Sequence, residues 1–318
     1  MAATPIAVEE LRVGMYIQLD GGWLSHPFPL SSFRISGPEQ IQTLLGLGLK
    51  QIRWLPEKSV LSAEALPEDV PSGAADTAVG PAGGDSPTAE EIAALQHRDW
   101  VAAQRESARV CERQYGEASV ALRGAMDSLS ARPAEAGQTA RRLAQAMLDK
   151  MVAAGDVGIR LVHGGGDRHA AHALNVSVIS LLIGRTLGLS RDDLADLASG
   201  ALLHDVGKLD LPERHRHYEE GFSAAETAAY RDHVTRGVMQ GRRMGLSPGA
   251  LAVVAQHHEH ADGSGFPQQI GGERMTMAAR IVAIVDRYDK LCNPGTSSPA
   301  MTPHQALAML FAQGRQRY

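Results

Sequence analysis

The chain is 318 residues long, 44% apolar and only 4% aromatic, with a formal net charge of −5. That length fits one large domain or two smaller ones, and a core so poor in aromatics must be built from Ala, Leu, Val, Ile and Met, which suits helices better than a β-sandwich. The acidic balance argues against a nucleic-acid polymer or a membrane surface as partner. The two cysteines, Cys111 and Cys292, suit reduced thiols in the cytoplasm, and runs such as "VISLLIG" fall short of the ~20 apolar residues of a membrane span. The opening "MAATPIAVEELRVGMYIQLD" carries acids and a glycine among its apolars and does not read as a secretory leader.

In chain order, "LRVGMYIQLD" and "KQIRWLP" read as short strands. The stretch "GPEQIQTLLGLGL" between them reads as a helix capped by Ser36 with Pro38 in its first turn. Residues 1–63 are thus expected to form a small α+β module. Residues 64–88, rich in Pro, Gly, Ala and Asp without apolar period, read as a mobile linker. A capping box of Thr88 and Glu91 opens a long Arg/Glu-rich helix to about Leu129, and a second helix near 134–155 ends in Gly155. This helical connector, 89–156, reads as solvated, or as a coiled-coil arm through which the chain forms a homodimer. From 157 to 318 the signals are all helical: "HALNVSVISLLIGRTLGL", a Ser190/Asp193 box, a Ser223/Glu226 box opening one helix that runs on to "RRMG", and Ser247 as cap with Pro248 at the first helical position. "TMAARIVAIVDRYDKLC" and "TPHQALAMLFAQG" follow. The fold class expected is mainly α, ending in a bundle of about six or seven helices. Trp23, Trp54 and Trp100 read as packing anchors.

Eleven of the 13 histidines lie between His163 and His304. His172 opens an apolar helix, His204 and Asp205 close the next, and His233 sits mid-helix. His257 and His258 end another helix, and Asp286 ends the run "IVAIV". A lone inward imidazole is more often a satisfied core residue than a ligand. Seven inward imidazoles and carboxylates change that balance, because each costs several kcal/mol when buried unless paired or metal-bound. Mixed imidazole and carboxylate donors suit Fe, Mn or Zn over Ca, and the lack of nearby thiolates argues against a structural zinc. Seven ligands exceed the needs of one ion. Two ions bridged by Asp205, roughly 3.5–4 Å apart, form a standard device for phosphoester hydrolysis that clamps the phosphate and activates a bridging water. Lys208, one turn after His204, is placed to stabilise the phosphate or the leaving oxygen; its plainer reading is a helix C-terminal lysine.

Other polar residues carry weaker signals. His163 and His169 lie in a Gly-rich stretch, as site entrance or solvated loop. His215 and His217 lie on a polar loop that reads equally as a substrate gate. His260 supports a ligand or is exposed. Glu259 orients a ligand imidazole or is a plain helix-end acid, and Asp262 caps the "DGSG" turn. Gly263 and Gly265 are expected at positive φ. Cys292 reads as a core thiol.

The motifs "HALNV", "HDVGK", "HV" at 233, "HHEHADGSGFP" and "VDRYD" together resemble the HD-GYP domains of the HD phosphohydrolase superfamily, over residues 157–318. The N-terminal module resembles the small α+β domain that precedes a subset of them. The resemblance implies a bacterial second-messenger enzyme, a phosphodiesterase that cuts cyclic di-GMP to linear pGpG and often on to GMP. It implies two transition-metal ions, Fe or Mn. His172, His204, Asp205 and Asp286 would hold one ion; Asp205, His233, His257 and His258 the other. Lys208 would contact the scissile phosphate, Asp262, Gly263, Gly265, Phe266 and Pro267 would form the substrate-side signature, and diguanylate cyclase (GGDEF) domains would be partners. Four departures stand out. Phe266 replaces the signature tyrosine. Arg168, beside Asp167, stands where some members carry the glutamate of a third metal, which favours two. "DKLCNPGTSSPAMTP" replaces the family's "DALTSDRPYR" and lacks its basic pair. Members usually continue past a segment like the one that closes at Tyr318, so a terminal helical portion is expected to be missing. The alternatives are a hydrolase of another nucleotide and a non-hydrolytic cyclic di-GMP sensor or docking module.

Overall fold

The computed structural model describes residues 4–19, 32–59, 89–153, 168–216, 221–294, 299–314 and 316–318. The linker expected at 64–88, Thr88 with its capping box, Gly155, Trp23, His163, Asp167, His217 and the side chain of Trp100 lie outside the described residues. The described residues divide into two compact units, and the boundary along the long helix falls between Arg113 and Gln114.

The first unit holds strands β1 (Thr4–Ala7), β2 (Tyr16–Gln18), β3 (Ser32–Arg34) and β4 (Gln51–Trp54), with helix α1 (Pro38–Gly46). The sheet is antiparallel in the order β1-β4-β2-β3, with Ile6 opposite Ile52 and Ile17 opposite both Phe33 and Trp54. β1 and β3 were not foreseen. Each is an edge strand of three or four residues, and β1 carries Pro5, which an edge tolerates because the missing N–H need not face a neighbour. Ile17, Ile35 and Leu44 are fully buried in this unit. The expected cap of α1 is corrected: Gly37 is the N-cap, and the Ser36 N–H donates to Gln40 Oε1 at 2.8 Å. Trp54 is half-buried and anchored, its Nε1–H donating to Ser59 Oγ at 2.9 Å.

The long helix α2 (Ala89–Ser128) runs from the first unit into the second, where it is followed by α3 (Pro133–Ala153), α4 (Arg168–Thr186), α5 (Arg191–Leu203), α6 (Ala224–Arg231), α7 (His233–Arg243), α8 (Pro248–Gln256), α9 (Met277–Cys292) and α10 (Pro303–Gly314). One core joins α2 through α5 with α8 and α9. It includes Leu122, Leu143, Leu148, Leu181, Leu197, Val253 and Val282, and each fully buried aliphatic side chain contributes about 1.5–3 kcal/mol. The end of α2 is therefore not a solvated arm: Ala118, Leu122, Ala125 and Leu129 form a buried stripe at helical spacing. Helix starts follow their chemistry. Ser223 and Glu226 form a full capping box, and the Ser190 and Ser247 hydroxyls each accept from the amide three residues on. The single helix expected from Ser223 to Gly245 is two, broken at Asp232, which places His233 at the start of α7 and not in mid-helix. Among the described residues no helix is long and apolar enough to cross a membrane.

Between α5 and α7 the chain makes a 3-10 turn, Val206–Asp210, packed closely on α7. A Cβ on Gly207 would stand 2.0 Å from the His233 carbonyl oxygen and 2.3 Å from the Gly237 nitrogen. Gly207→Ala should therefore lower stability by about 1–3 kcal/mol in urea unfolding, as overpacked sites do. Gly221→Ala, with nothing within 4 Å of the added carbon, should leave the midpoint unchanged. Equal midpoints for the two variants would contradict this packing.

Candidate metal centre

Helix ends build the site. α5 ends at Leu203 with His204 as its C-cap, α8 ends at Gln256 with His257 as its C-cap, and α6 ends just before His233. The last carbonyls of a helix lack intrahelical donors. Here ring Nδ1–H groups supply them: His204 donates to Ala201 O at 2.7 Å, His233 to Tyr230 O at 2.6 Å and His257 to Val254 O at 2.9 Å. With Nδ1 so engaged, Nε2 is the ring atom that faces inward, and in the neutral ring it carries the lone pair. All three rings are buried.

The inward atoms fall into two sets that share one residue: His172, His204, Asp205 and Asp286, and Asp205, His233, His257 and His258. In the first, His172 Nε2 lies 3.0 Å from Asp286 Oδ1 and 3.3 Å from His204 Nε2, and His204 Nε2 lies 3.4 Å from Asp205 Oδ2. In the second, Asp205 Oδ1 lies 3.5 Å from His233 Nε2 and 3.6 Å from His257 Nε2. Asp205 thus turns one oxygen to each set. An ion with bonds of about 2.0–2.2 Å places neighbouring ligand atoms roughly 3.0–3.6 Å apart, which these separations match. Asp205 Oδ1 and His258 Nε2 are buried and have no hydrogen-bond partner, as ligand atoms awaiting a cation would be. The donors present fit a pair of metal ions.

Charges at the site are compensated by lysines. Lys208 Nζ lies 2.6 Å from Asp205 Oδ2, and Lys290 Nζ lies 2.7 Å from Asp286 Oδ2. Burial raises the Asp205 carboxyl, but Lys208 and then His204 outweigh it and hold it well below the usual range. Lys290 and then His172 do the same for Asp286. The two sets differ in their imidazoles. Burial disfavours the charged form of His204, yet Asp205 and Asp286 lift it to about 9. Burial pulls His233 down to about 3 against the pull of Asp205, and lowers His257 and His258 as well.

The signature loop closes one wall. The Phe266 N–H donates to His258 O at 3.0 Å, and its ring stacks on His258 at 4.6 Å and 24°. The Arg231 guanidinium lies 5.0 Å from the Phe266 ring centre. Asp262 caps the turn, Oδ1 accepting from the Ser264 N–H at 2.9 Å, and stays out of both ligand sets. Gly263 has φ of 76°, but Gly265 does not adopt positive φ. It is needed for close approach instead, because a Cβ there would stand 2.4 Å from Glu259 Cα. Pro267 is exposed at the loop's outer edge. Glu259 neither orients an imidazole nor faces solvent. It is fully buried and accepts from the Gln268 N–H at 2.6 Å and the Ile270 N–H at 3.1 Å, stapling the loop.

Other expected residues stand apart from the ligand sets. His169 is exposed in the first turn of α4, as is Arg168, one turn before His172. His215 is buried against Phe222, and His260 lies 3.0 Å from Ser264 Oγ. Cys292 is a buried free thiol whose ionisation burial pushes up. Sequence reasoning missed Asp289, Asn175 and Lys290. Asp289 Oδ2 lies 2.6 Å from His172 Nδ1, and Asn175 Nδ2 donates to Asp289 Oδ1 at 3.0 Å. Helical spacing carried the signal: Asn175 follows His172 by three residues, and Asp289 and Lys290 follow Asp286 by three and four.

Comparisons with known proteins bear on this geometry. The family model described as HD domain matches residues 125–318, and the domain of unknown function DUF3391 matches residues 4–140. The chain is 25% identical over 300 residues to the cyclic di-GMP phosphodiesterase PA4108 of Pseudomonas aeruginosa, covering 90% of this chain and 67% of that protein. It is 31% identical over 140 residues to the cyclic di-GMP phosphodiesterase response regulator RpfG of Xanthomonas campestris, covering 43% and 37%. It is 30% identical over 145 residues to 3'3'-cGAMP-specific phosphodiesterase 2 of Vibrio cholerae, covering 45% and 28%. The chain thus spans about two thirds of the first relative's length and well under half of the other two. It shares its fold with Bd1817, an HDG"Y"P protein from Bdellovibrio bacteriovorus, at a TM-score of 0.52 and 14% identity over 100% of this chain and 95% of that one.

Two outcomes are expected. Glu259→Gln keeps the size but loses one of two acceptors, so amide exchange at Gln268 and Ile270 should accelerate by about tenfold or more; unchanged protection would remove the staple. The pH dependence of metal-stripped protein should have two limbs. His233 has a folded value below its unfolded one, so its contribution is present above pH 6.5 and falls away as pH drops toward about 3. His204 has a raised folded value, so its contribution is present below pH 6.5 and is lost as pH rises through about 9. Urea midpoints in chelator should fall on both sides, and His204→Gln should flatten the alkaline limb.

Proposed function

The chain belongs to the HD-domain family, and from that premise we propose that it is a metal-dependent phosphodiesterase that hydrolyses cyclic di-GMP to linear pGpG and onward to GMP. The observation that carries this reading is the pair of ligand sets sharing Asp205. The names of the relatives and the HD-type fold support it.

Two bound divalent ions supply Lewis-acid activation of a phosphate and of a water molecule. His172, His204, Asp205 and Asp286 would hold one ion, and Asp205, His233, His257 and His258 the other. The mixed donors suit Fe or Mn. Two ions are favoured over three, since Arg168 offers no ligand. Lys208 gives one N–H to Asp205 Oδ2 and has two more for the phosphate oxygens and the leaving oxygen, where charge develops. Phe266 shields His258 from water and, with Asp262, Gly263, Gly265 and Pro267, shapes the substrate-side wall. The catalytic unit takes in the end of α2 and all of α3, because their buried stripe completes its core. Diguanylate cyclase (GGDEF) domains as partners, a homodimer through 89–156 and a cytoplasmic location complete the proposal.

A second reading, hydrolysis of another cyclic dinucleotide, is favoured by two observations. One relative is named for 3'3'-cGAMP, and the segment after Asp286 lacks the basic pair.

Protein loaded with Mn²⁺ or Fe²⁺ should bind about two ions per chain. Given cyclic di-GMP and 3'3'-cGAMP side by side, it should release pGpG first from the former. Asp205→Ala should lose both metal loading and turnover. Lys208→Ala should keep its metal and lose about 10²–10³ in kcat. Metal-loaded protein that binds either dinucleotide without cleaving it would leave only the sensor reading.

A further inference from the structure

His172 differs from the other anchored ligand imidazoles. His204, His233 and His257 are fixed by carbonyls at helix ends, whereas His172 lies in the second turn of α4, where the backbone carbonyls serve the helix's own hydrogen bonds. Its Nδ1 is held by a side chain, Asp289 Oδ2, at 2.6 Å. Asp289 is buried, and its other oxygen accepts from Asn175 Nδ2 at 3.0 Å and Asn293 Nδ2 at 2.8 Å. The Asn175 carbonyl oxygen lies 3.2 Å from the Tyr115 hydroxyl, which also lies 3.1 Å from Ala171 O. Tyr115 belongs to α2 and stands two residues past Arg113, where that helix passes from the first compact unit to the second.

We infer that Tyr115, acting through Asn175 and Asp289, sets the ring position of His172 and with it the affinity of the site for the His172-side ion. Metal ligands must be held within about 0.5 Å and 10–20° of their working geometry, and partners of a ligand's far nitrogen are worth 10–100-fold in affinity. A carboxylate on Nδ1 also makes Nε2 a stronger donor. Burial and Asp289 push the Tyr115 hydroxyl up to about 12, so it remains a donor at working pH. Each link is a side chain on a different part of the fold: α2, α4 and α9. Any rotation or slide of α2 that moves the Tyr115 hydroxyl is therefore felt at one ion and not at the other, where His233 and His257 hang on the carbonyls of Tyr230 and Val254. Tyr115, Asn175 and Asp289 are positioning residues; none is in either ligand set.

The inference rests on the two-ion reading, and titration of metal-stripped full-length protein with Mn²⁺ alone separates the two. Wild type should show two binding events, one of which His172→Ala abolishes. Tyr115→Phe should weaken that same event about three- to tenfold, leave the other unchanged and shift the metal-free melting temperature by no more than about 2 °C. Asp289→Asn should weaken it ten- to a hundredfold. In the His172→Ala background, Tyr115→Phe should add nothing. Two wild-type events unchanged by Tyr115→Phe, or both weakened alike, overturn the relay while leaving the two-ion reading standing. No Mn²⁺ bound by wild type overturns the two-ion reading itself.

Discussion

Asp205 carries the constraint on which the site depends. Its carboxylate stands where two clusters of imidazoles meet, one oxygen toward each, and one of those oxygens is buried without a hydrogen-bond partner. A buried carboxylate facing so many ring nitrogens is stable only if positive charge arrives there. Lys208 and Lys290 answer part of that need from within the chain. The depressed His233, His257 and His258 answer none of it. They are neutral donors with their lone pairs turned inward, which is the state a divalent cation requires.

The bundle makes this possible by ending helices at the centre. Carbonyls at the ends of α5, α6 and α8 each take the Nδ1–H of a histidine three residues on, so an obligation of every helix terminus is turned into ring orientation. The loop after α8 is held to the same standard. Glu259 binds two of its amides from inside, Gly265 lets it approach the end of α8, and Phe266 lies flat on His258. The signature phenyl ring acts through stacking, and the hydroxyl it lacks has no part in that contact.

Much of this was legible in sequence because it is local. Ser223 with Glu226, and Ser247 followed by Pro248, announce helix starts through bonds three residues apart. The candidate ligands are apolar-flanked histidines and aspartates, His204, His233, His257 and His258 at helix ends and His172 and Asp286 within helices, and the structure brings together all seven. What failed was long-range or compensated. The Ser223-to-Gly245 pattern keeps its helical period through Asp232, so the break that positions His233 leaves no mark in composition. Ala118, Leu122 and Ala125 form a buried stripe inside a helix whose overall content is charged. Asp289, Asn175 and Tyr115 meet across α9, α4 and α2, and only the packing of three helices puts them in line. Glu259 stands beside two candidate metal ligands, yet its acceptors face backward into the loop.

The central claim is that one carboxylate, Asp205, divides its oxygens between two ions. Crystals grown with Mn²⁺ and measured on either side of the manganese absorption edge test this most directly. The account predicts two anomalous peaks roughly 3.5–4 Å apart, one bonded to Asp205 Oδ2 and the other to Asp205 Oδ1, with His172 Nε2 on the first and His233, His257 and His258 on the second. A single peak, or two peaks of which one lies beyond reach of Asp205, would contradict it.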